Sequence, residues 1–206
     1  SDRYSLCLID SVTVSRLTAQ DLRKLARRFY NDTYFMDQNA CSTPHLVVWV
    51  GPKKEMAKDK FWSAVGEQVR ASYQIDAGVS YKKYSKMCHD AIELDCVSKV
   101  TRYDNYLYRL AIDELPIGVD NLRGKYGYFF EYDTDDIKTL IPIVNEKYQT
   151  LTYFGLEKEF LKEFVINNRL SGIDRIVPIG RALDIDVVWD GYDIVKTLSR
   201  VIVGES

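Results

Sequence analysis

The residues best suited by type to do chemistry stand in one short stretch, Asp37-Gln38-Asn39-Ala40-Cys41-Ser42-Thr43-Pro44-His45. Cys41 brings a thiol among small and polar neighbours. Thiolate is the nucleophilic form of cysteine, and polar, tightly turned loops are where it is stabilised. The commoner use of a free cysteine is as a small buried hydrophobe. His45 could accept the thiol proton or, as imidazolium, favour the thiolate. It could equally be a histidine that simply opens a strand. His89 beside Cys88 offers a second Cys–His pair, although adjacent side chains usually diverge.

Other chemistries are excluded by composition. The chain has 206 residues, 46% of them apolar, which suits one sizeable domain and rules out a disordered segment. Its net charge of -2 gives no basic excess for a phosphate backbone, so nucleic acid is not an expected partner. The four cysteines have neither metal spacing nor the density of a disulfide scaffold, which points to a reducing, cytoplasmic setting. Two histidines cannot build a multi-histidine metal site, so no metal is expected. Neither GxGxxG nor GxxxxGK[ST] occurs. The apolar runs are too short to span a bilayer, and no signal peptide precedes the first strand. Starting at Ser1 without methionine, the chain reads as a processed or excised piece.

The elements that must position the cysteine alternate. Tyr4 to Ile9 predicts a buried strand. Thr18 and Asp21 predict a capped helix from Ala19 to about Phe35, its basic residues Arg23, Lys24, Arg27 and Arg28 on a solvated face. Strand 46–51 follows the cysteine loop, then a helix over 55–73 with Phe61, Trp62, Val65 and Val69 inward. Tyr81 to Tyr84 reads as a loop or helix start, and Met87 to Leu94 as a pair of helical turns. Val97–Arg102 and Tyr106–Ala111 predict an antiparallel strand pair. A strand over 126–132 leads to a helix beginning at Asp133 and ending near Glu146. A strand over 150–154, a helix over 156–168, a short strand within 173–179, a turn at Trp189-Asp190-Gly191 and a last helix over 192–203 complete the pattern. The alternation implies a three-layer α/β domain, a mainly parallel sheet with helices on both faces. Ligands in such sheets are expected beyond the carboxyl ends of the strands.

Three segments then carry a resemblance. They are Asp37 to Pro44, Asn145-Glu146-Lys147-Tyr148-Gln149-Thr150-Leu151-Thr152-Tyr153-Phe154-Gly155, and Gly172-Ile173-Asp174-Arg175-Ile176-Val177-Pro178-Ile179-Gly180 leading to Trp189-Asp190-Gly191-Tyr192-Asp193. In this order they resemble the long-chain fatty acyl-CoA reductase of bacterial bioluminescence, a branch of the aldehyde dehydrogenase superfamily, over about Tyr4 to Val201. The resemblance implies an aldehyde dehydrogenase-like catalytic domain over 1–206, with the N-terminal Rossmann cofactor domain outside this chain. It implies that Cys41 forms an acyl thioester, that its backbone N–H serves the oxyanion, and that NADPH reduces the acyl group to a fatty aldehyde. Pocket residues expected on the same ground are Gln38, Asn39, Ser42, Glu146, Trp189 and Asp190. Capping explains Glu146 and Asn145 as well, and a plain turn explains Trp189.

The resemblance further implies a fatty acyl-CoA or acyl thioester substrate. Its partners would be an acyl-protein synthetase and an acyltransferase, in a cytoplasmic homo-oligomer. Two departures stand out. Gln38 lies three positions before Cys41, where the family pattern has two. The place of the family's ribose-holding glutamate falls in Asn121-Leu122-Arg123-Gly124-Lys125, which has none. Other readings stay open: a Cys/His thiol acyltransferase or hydrolase needing no nicotinamide, or a non-catalytic interaction module.

Overall fold

Unbroken apolar runs make strands that are covered on both faces, and two of them form the centre of the sheet. In a computed structural model, which describes residues 2–200 and 202, β1 (Tyr4–Asp10) is buried at every position but its last, and β2 (Leu46–Val50) likewise. The other strands are β3 (Val97–Tyr103), β4 (Leu107–Ile112), β5 (Tyr128–Thr134), β6 (Tyr148–Phe154) and β7 (Arg175–Pro178). Their order is β3-β4-β5-β2-β1-β6-β7. Every pairing is parallel except β3 with β4. The antiparallel pair expected from the sequence is therefore the edge of a parallel sheet.

Alternation along β1 divides the core in two. Leu6 and Leu8 pair with Leu46 and Val48 and face one cluster, while Cys7 and Ile9 pair with Val47 and Trp49 and face the other. Helices α1 (Ser11–Arg16), α2 (Ala19–Thr33) and α3 (Lys54–Ser72) cover the second face, through Val14, Phe29, Phe61 and Val65. Helices α4 (Ala77–Glu93) and α5 (Lys158–Asn167) bring Met87, Leu161 and Phe164 to the first. The expected three-layer α/β architecture is what forms. Thr18 caps α2 by accepting from the Asp21 N–H at 3.2 Å.

Three expectations are corrected. The segment around Tyr81–Tyr84 is the interior of α4, one helix of 17 residues whose cap, Asp76, accepts from the Gly78 N–H at 2.7 Å. Its buried residues are Lys83, Met87 and Asp90, so the inward face has no apolar period to read. The helix expected from Asp133 is absent: β5 continues to Thr134, and only a 3-10 turn, Ile137–Leu140, follows. Pro142 removes a backbone donor and disfavours helix at Ile141, so a longer helix cannot propagate. The last helix shrinks to α6 (Ile194–Leu198), and residues 201 and 203 of that expectation lie outside the described residues. The turn at Asp190-Gly191 does close a hairpin between β8 (Val188–Trp189) and β9 (Tyr192–Asp193), with φ 50 and 80 suiting a type I′ turn.

One polar cluster sits inside the second core. The Glu131 carboxylate, 4% exposed, accepts from Trp49 Nε1 at 2.9 Å and Trp62 Nε1 at 2.6 Å, and Arg109 donates to it at 3.3 Å. Replacing Glu131 by leucine strands two indole donors and a cation. Urea denaturation of Glu131→Leu should show a loss of about 3–5 kcal/mol, and Glu131→Gln, which keeps an acceptor, a smaller one. An unchanged midpoint in the leucine variant would refute the role given to this carboxylate.

Candidate functional site

The cysteine loop begins where α2 ends. Thr33 is followed by a 3-10 turn, Tyr34–Met36, and then by Asp37 and Gln38 with φ of 53 and 60. That left-handed pair turns the chain back toward the sheet. The Gln38 amide is buried, and its side-chain oxygen accepts from the Gly127 and Tyr128 N–H groups at 3.1 and 2.9 Å. Its nitrogen donates to the Tyr128 and Pro44 carbonyls at 2.9 and 3.3 Å. The loop is thus fastened to the start of β5.

Cys41 sits in the turn closed by Thr43 N–H donating to the Ala40 carbonyl at 3.0 Å, and is half-buried. Its carbonyl accepts from the Ser5 hydroxyl at 2.8 Å, and Ser5 Oγ accepts from the Thr150 N–H at 3.1 Å. Thr43 Oγ1 donates to the Asp32 carbonyl at 2.8 Å, and the Asp32 carboxylate accepts from the Gly180 and Ala182 N–H groups at 2.6 and 2.9 Å. Among the described residues, no acceptor takes the Cys41 N–H.

The loop forms one wall of a cleft of about 540 Å³, within the size range of small-molecule sites. Cys41, Gln38, Asn39 and His45 all line it. The cleft opens at the amino ends of β1, β2 and β5, because the cysteine precedes its strand. That corrects the expectation of a site beyond the carboxyl ends, which applies to loops that follow strands. The remaining expected pocket residues do not line it. Ser42 is packed inside the turn, and Glu146 is exposed in the turn before β6. Trp189 lies under the Arg175 guanidinium in the β8–β9 hairpin, and Asp190 accepts from Gln149 Nε2. Cys7, Cys88, Cys96 and the exposed His89 are likewise not among the lining residues.

His45 is 6% exposed and stacks on Tyr4 at 5.6 Å. Burial pushes its imidazole down to about 4, and the Arg123 and Lys125 charges push the same way. It is therefore uncharged at neutral pH, and its Nδ1 has no partner among the described residues. A neutral imidazole can accept a proton; the imidazolium alternative is disfavoured.

The opposite wall carries residues that the sequence did not bring together. Val79, Lys82, Lys83 and Lys86 come from α4, and Arg123, Gly124 and Lys125 from the loop before β5. The segment expected to align with the family's glutamate thus does reach the cleft, but with cations. Lys83 is 5% exposed and donates to the carbonyls of Asn105, Tyr106 and Tyr126 at 2.8, 3.1 and 2.6 Å. All three ammonium protons are used, so Lys83 braces α4 against the β4 and β5 loops. Burial, with Arg102 nearby, pushes it down to about 7. Arg123 donates to the carbonyls of Asp120, Arg3 and Asp2. Gly124 is required by close approach, since a Cβ there would come to 2.1 Å from the Tyr128 carbonyl oxygen.

The profile of the acyl-CoA reductase (LuxC) family matches residues 1–201. The chain belongs to that family. Among solved structures, the chain is similar to 1-pyrroline-5-carboxylate dehydrogenase of Thermus thermophilus at 12% identity and a TM-score of 0.52. The match covers 85% of this chain and 35% of that one. The Mycobacterium tuberculosis Δ-pyrroline-5-carboxylate dehydrogenase matches at 9% identity over the same shares, with a TM-score of 0.52. Methylmalonate-semialdehyde dehydrogenase of Oceanimonas doudoroffii gives 11% identity and a TM-score of 0.52 over 90% of this chain and 40% of its own. These likenesses establish a shared aldehyde dehydrogenase-type fold for this acyl-CoA reductase family member. The chain spans well under half the length of those structures. The search of curated proteins found no match. No helix among the described residues is long and apolar enough to cross a membrane.

Two measurements test the site. Gln38→Leu strands buried N–H groups of Gly127 and Tyr128, so stability should fall by about 1–3 kcal/mol and both amides should exchange faster; native protection at both would refute the strut. For His45, the folded pKa lies below the unfolded one. Unfolded chains take up a proton between about pH 6.5 and about 4 that the folded site refuses, so His45 lowers stability as pH falls through that window, by up to about 3 kcal/mol. Asp32, raised by burial to about 6, tilts the same window the other way. The His45 contribution is therefore the difference between wild type and His45→Phe. In wild type the His45 imidazole resonances, identified by their loss in His45→Phe, should titrate near pH 4, and a His45 midpoint near 6.5 would refute the assignment.

Proposed function

We propose that this chain is the cysteine-bearing catalytic domain of a fatty acyl-CoA reductase, working with a nicotinamide-binding domain outside these 206 residues. The observation that carries the reading is that Cys41 alone of the four cysteines lines the cleft, beside a neutral His45. His45 would relay the thiol proton only transiently, directly or through water, since its imidazole holds a proton poorly above about pH 4. The Cys41 sulfur attacks the thioester carbonyl, forming one C–S bond, and the Cys41 N–H steadies the oxyanion. Collapse breaks the C–S bond to the leaving thiolate, which takes a proton and departs as CoA. The acyl group stays on Cys41.

NADPH, when bound, supplies the hydride that turns this acyl thioester into an aldehyde and releases the Cys41 thiolate. The residues present suit only part of its binding: cations line the cleft, but the sequence has no glycine-rich dinucleotide loop. An acyl-protein synthetase and an acyltransferase would supply and receive acyl groups, in a cytoplasmic homo-oligomer. The same Cys41–His45 cleft also suits a thiol acyltransferase or hydrolase, which would release acid or a new ester without consuming nicotinamide.

The full-length protein incubated with an acyl-CoA, without reductant, should carry the acyl group on Cys41 when mapped by mass spectrometry. Cys41→Ser should lower aldehyde formation by about a thousandfold or more. Labelling at Cys7, Cys88 or Cys96 with Cys41 untouched would overturn the proposal. Free acid with no NADPH consumed would favour the hydrolase.

A further inference from the structure

The cleft beside Cys41 is cationic out of proportion to the chain. Six of its lining residues are basic (Arg3, Lys82, Lys83, Lys86, Arg123 and Lys125) and none is acidic, in a protein of net charge -2. Four of the six have partners. Arg3 pairs with Asp174 and Lys86 with Asp90; Lys83 and Arg123 donate to backbone carbonyls, and Arg123 also lies 3.7 Å from Asp2. Lys82 and Lys125 are different. Both are exposed, and among the described residues no carboxylate lies within ion-pair distance of either. One stands on α4 and the other on the loop before β5, so two separate elements present a cation to the cleft that holds the thiol.

A surface lysine commonly keeps a carboxylate nearby or faces bulk water. Here Lys83 and Arg123, braced by carbonyls, line the same cleft as Lys82 and Lys125. Such an arrangement selects anions, and several cations on separate elements suit a ligand with more than one phosphate. We propose that Lys82 and Lys125 bind the phosphates of the adenine nucleotide that brings the reacting group to Cys41. The proposal rests on the function given above. Two nucleotides share this chemistry, the CoA part of the thioester and the phosphorylated nicotinamide cofactor, and the experiment separates them.

In the full-length protein, the rate of Cys41 acylation is measured with an acyl-CoA and with the corresponding acyl-pantetheine, which lacks every phosphate. KM for NADPH is measured in parallel. If CoA is the ligand, Lys82→Glu and Lys125→Glu should each cut the preference for acyl-CoA over acyl-pantetheine by about tenfold, and flatten its dependence on salt. Lys82→Arg should restore most of the preference. If the cofactor is the ligand, KM for NADPH rises by a similar factor while the acyl-donor preference holds. Either result supports the phosphate site and names its occupant.

If both charge reversals leave both quantities at wild-type values, the proposal is overturned. It fails separately from the reductase reading. Acylation of Cys41 that is indifferent to Lys82 and Lys125 ends only the phosphate site. Weakened CoA or NADP binding by calorimetry in the variants, with Cys41 never acylated, ends only the reductase reading.

Discussion

Buried backbone must be hydrogen-bonded, and around the reactive turn that requirement is met by side chains rather than by sheet ladders. Gln38 answers four backbone groups at once, on Tyr128, Gly127 and Pro44. Ser5 answers the Cys41 carbonyl and the Thr150 N–H. A loop in a left-handed conformation at two successive non-glycine residues is strained, and such strain persists only where the surroundings over-determine it. Here the surroundings are the first residues of three strands. The thiol's position therefore follows from β1, β5 and β6 being fixed, and they are fixed by the two apolar clusters on either side of the sheet.

Electrostatics follows from the same packing. His45 is neutral because it is buried, stacked on Tyr4, with the Arg123 and Lys125 charges pushing the same way, and its Nδ1 has no partner among the described residues. Lys83 and Arg123 hold still because carbonyls surround them. The site thus combines an imidazole that rests neutral at neutral pH with basic side chains braced by backbone carbonyls. Lys82 and Lys125 are the exposed cations of the cleft, with no carboxylate at ion-pair distance among the described residues.

The frame of the fold was legible because apolar runs are local signals. Leu46-Val47-Val48-Trp49-Val50 could only be a covered strand, and Phe61, Trp62, Val65 and Val69 could only be one face of a helix. Helix α4 was hidden because its inward face holds Lys83 and Asp90, which satisfy carbonyls and the Tyr128 hydroxyl instead of packing as hydrophobes. The false helix after Asp133 followed from acidic residues that cap only a 3-10 turn before Pro142. At the site, the cysteine, Gln38, Asn39 and His45 were legible because they are contiguous. The cationic wall was not, since Arg3, Lys82 and Lys125 are brought together only by the strand order.

That strand order also brings together the three segments on which the sequence resemblance rests. The cysteine turn touches the second segment through Ser5, which accepts from Thr150 and donates to Cys41. It touches the third through Thr43 and Asp32, whose carboxylate takes the N–H groups of Gly180 and Ala182. The second and third segments join directly, Ile173 N–H donating to the Tyr148 carbonyl at 2.8 Å. Trp189 and Asp190 lie outside the cleft: Trp189 packs under Arg175, and Asp190 accepts from Gln149, the neighbour of Thr150. One polar network thus joins the cysteine turn to both later segments, and a residue can share in it without lining the cleft.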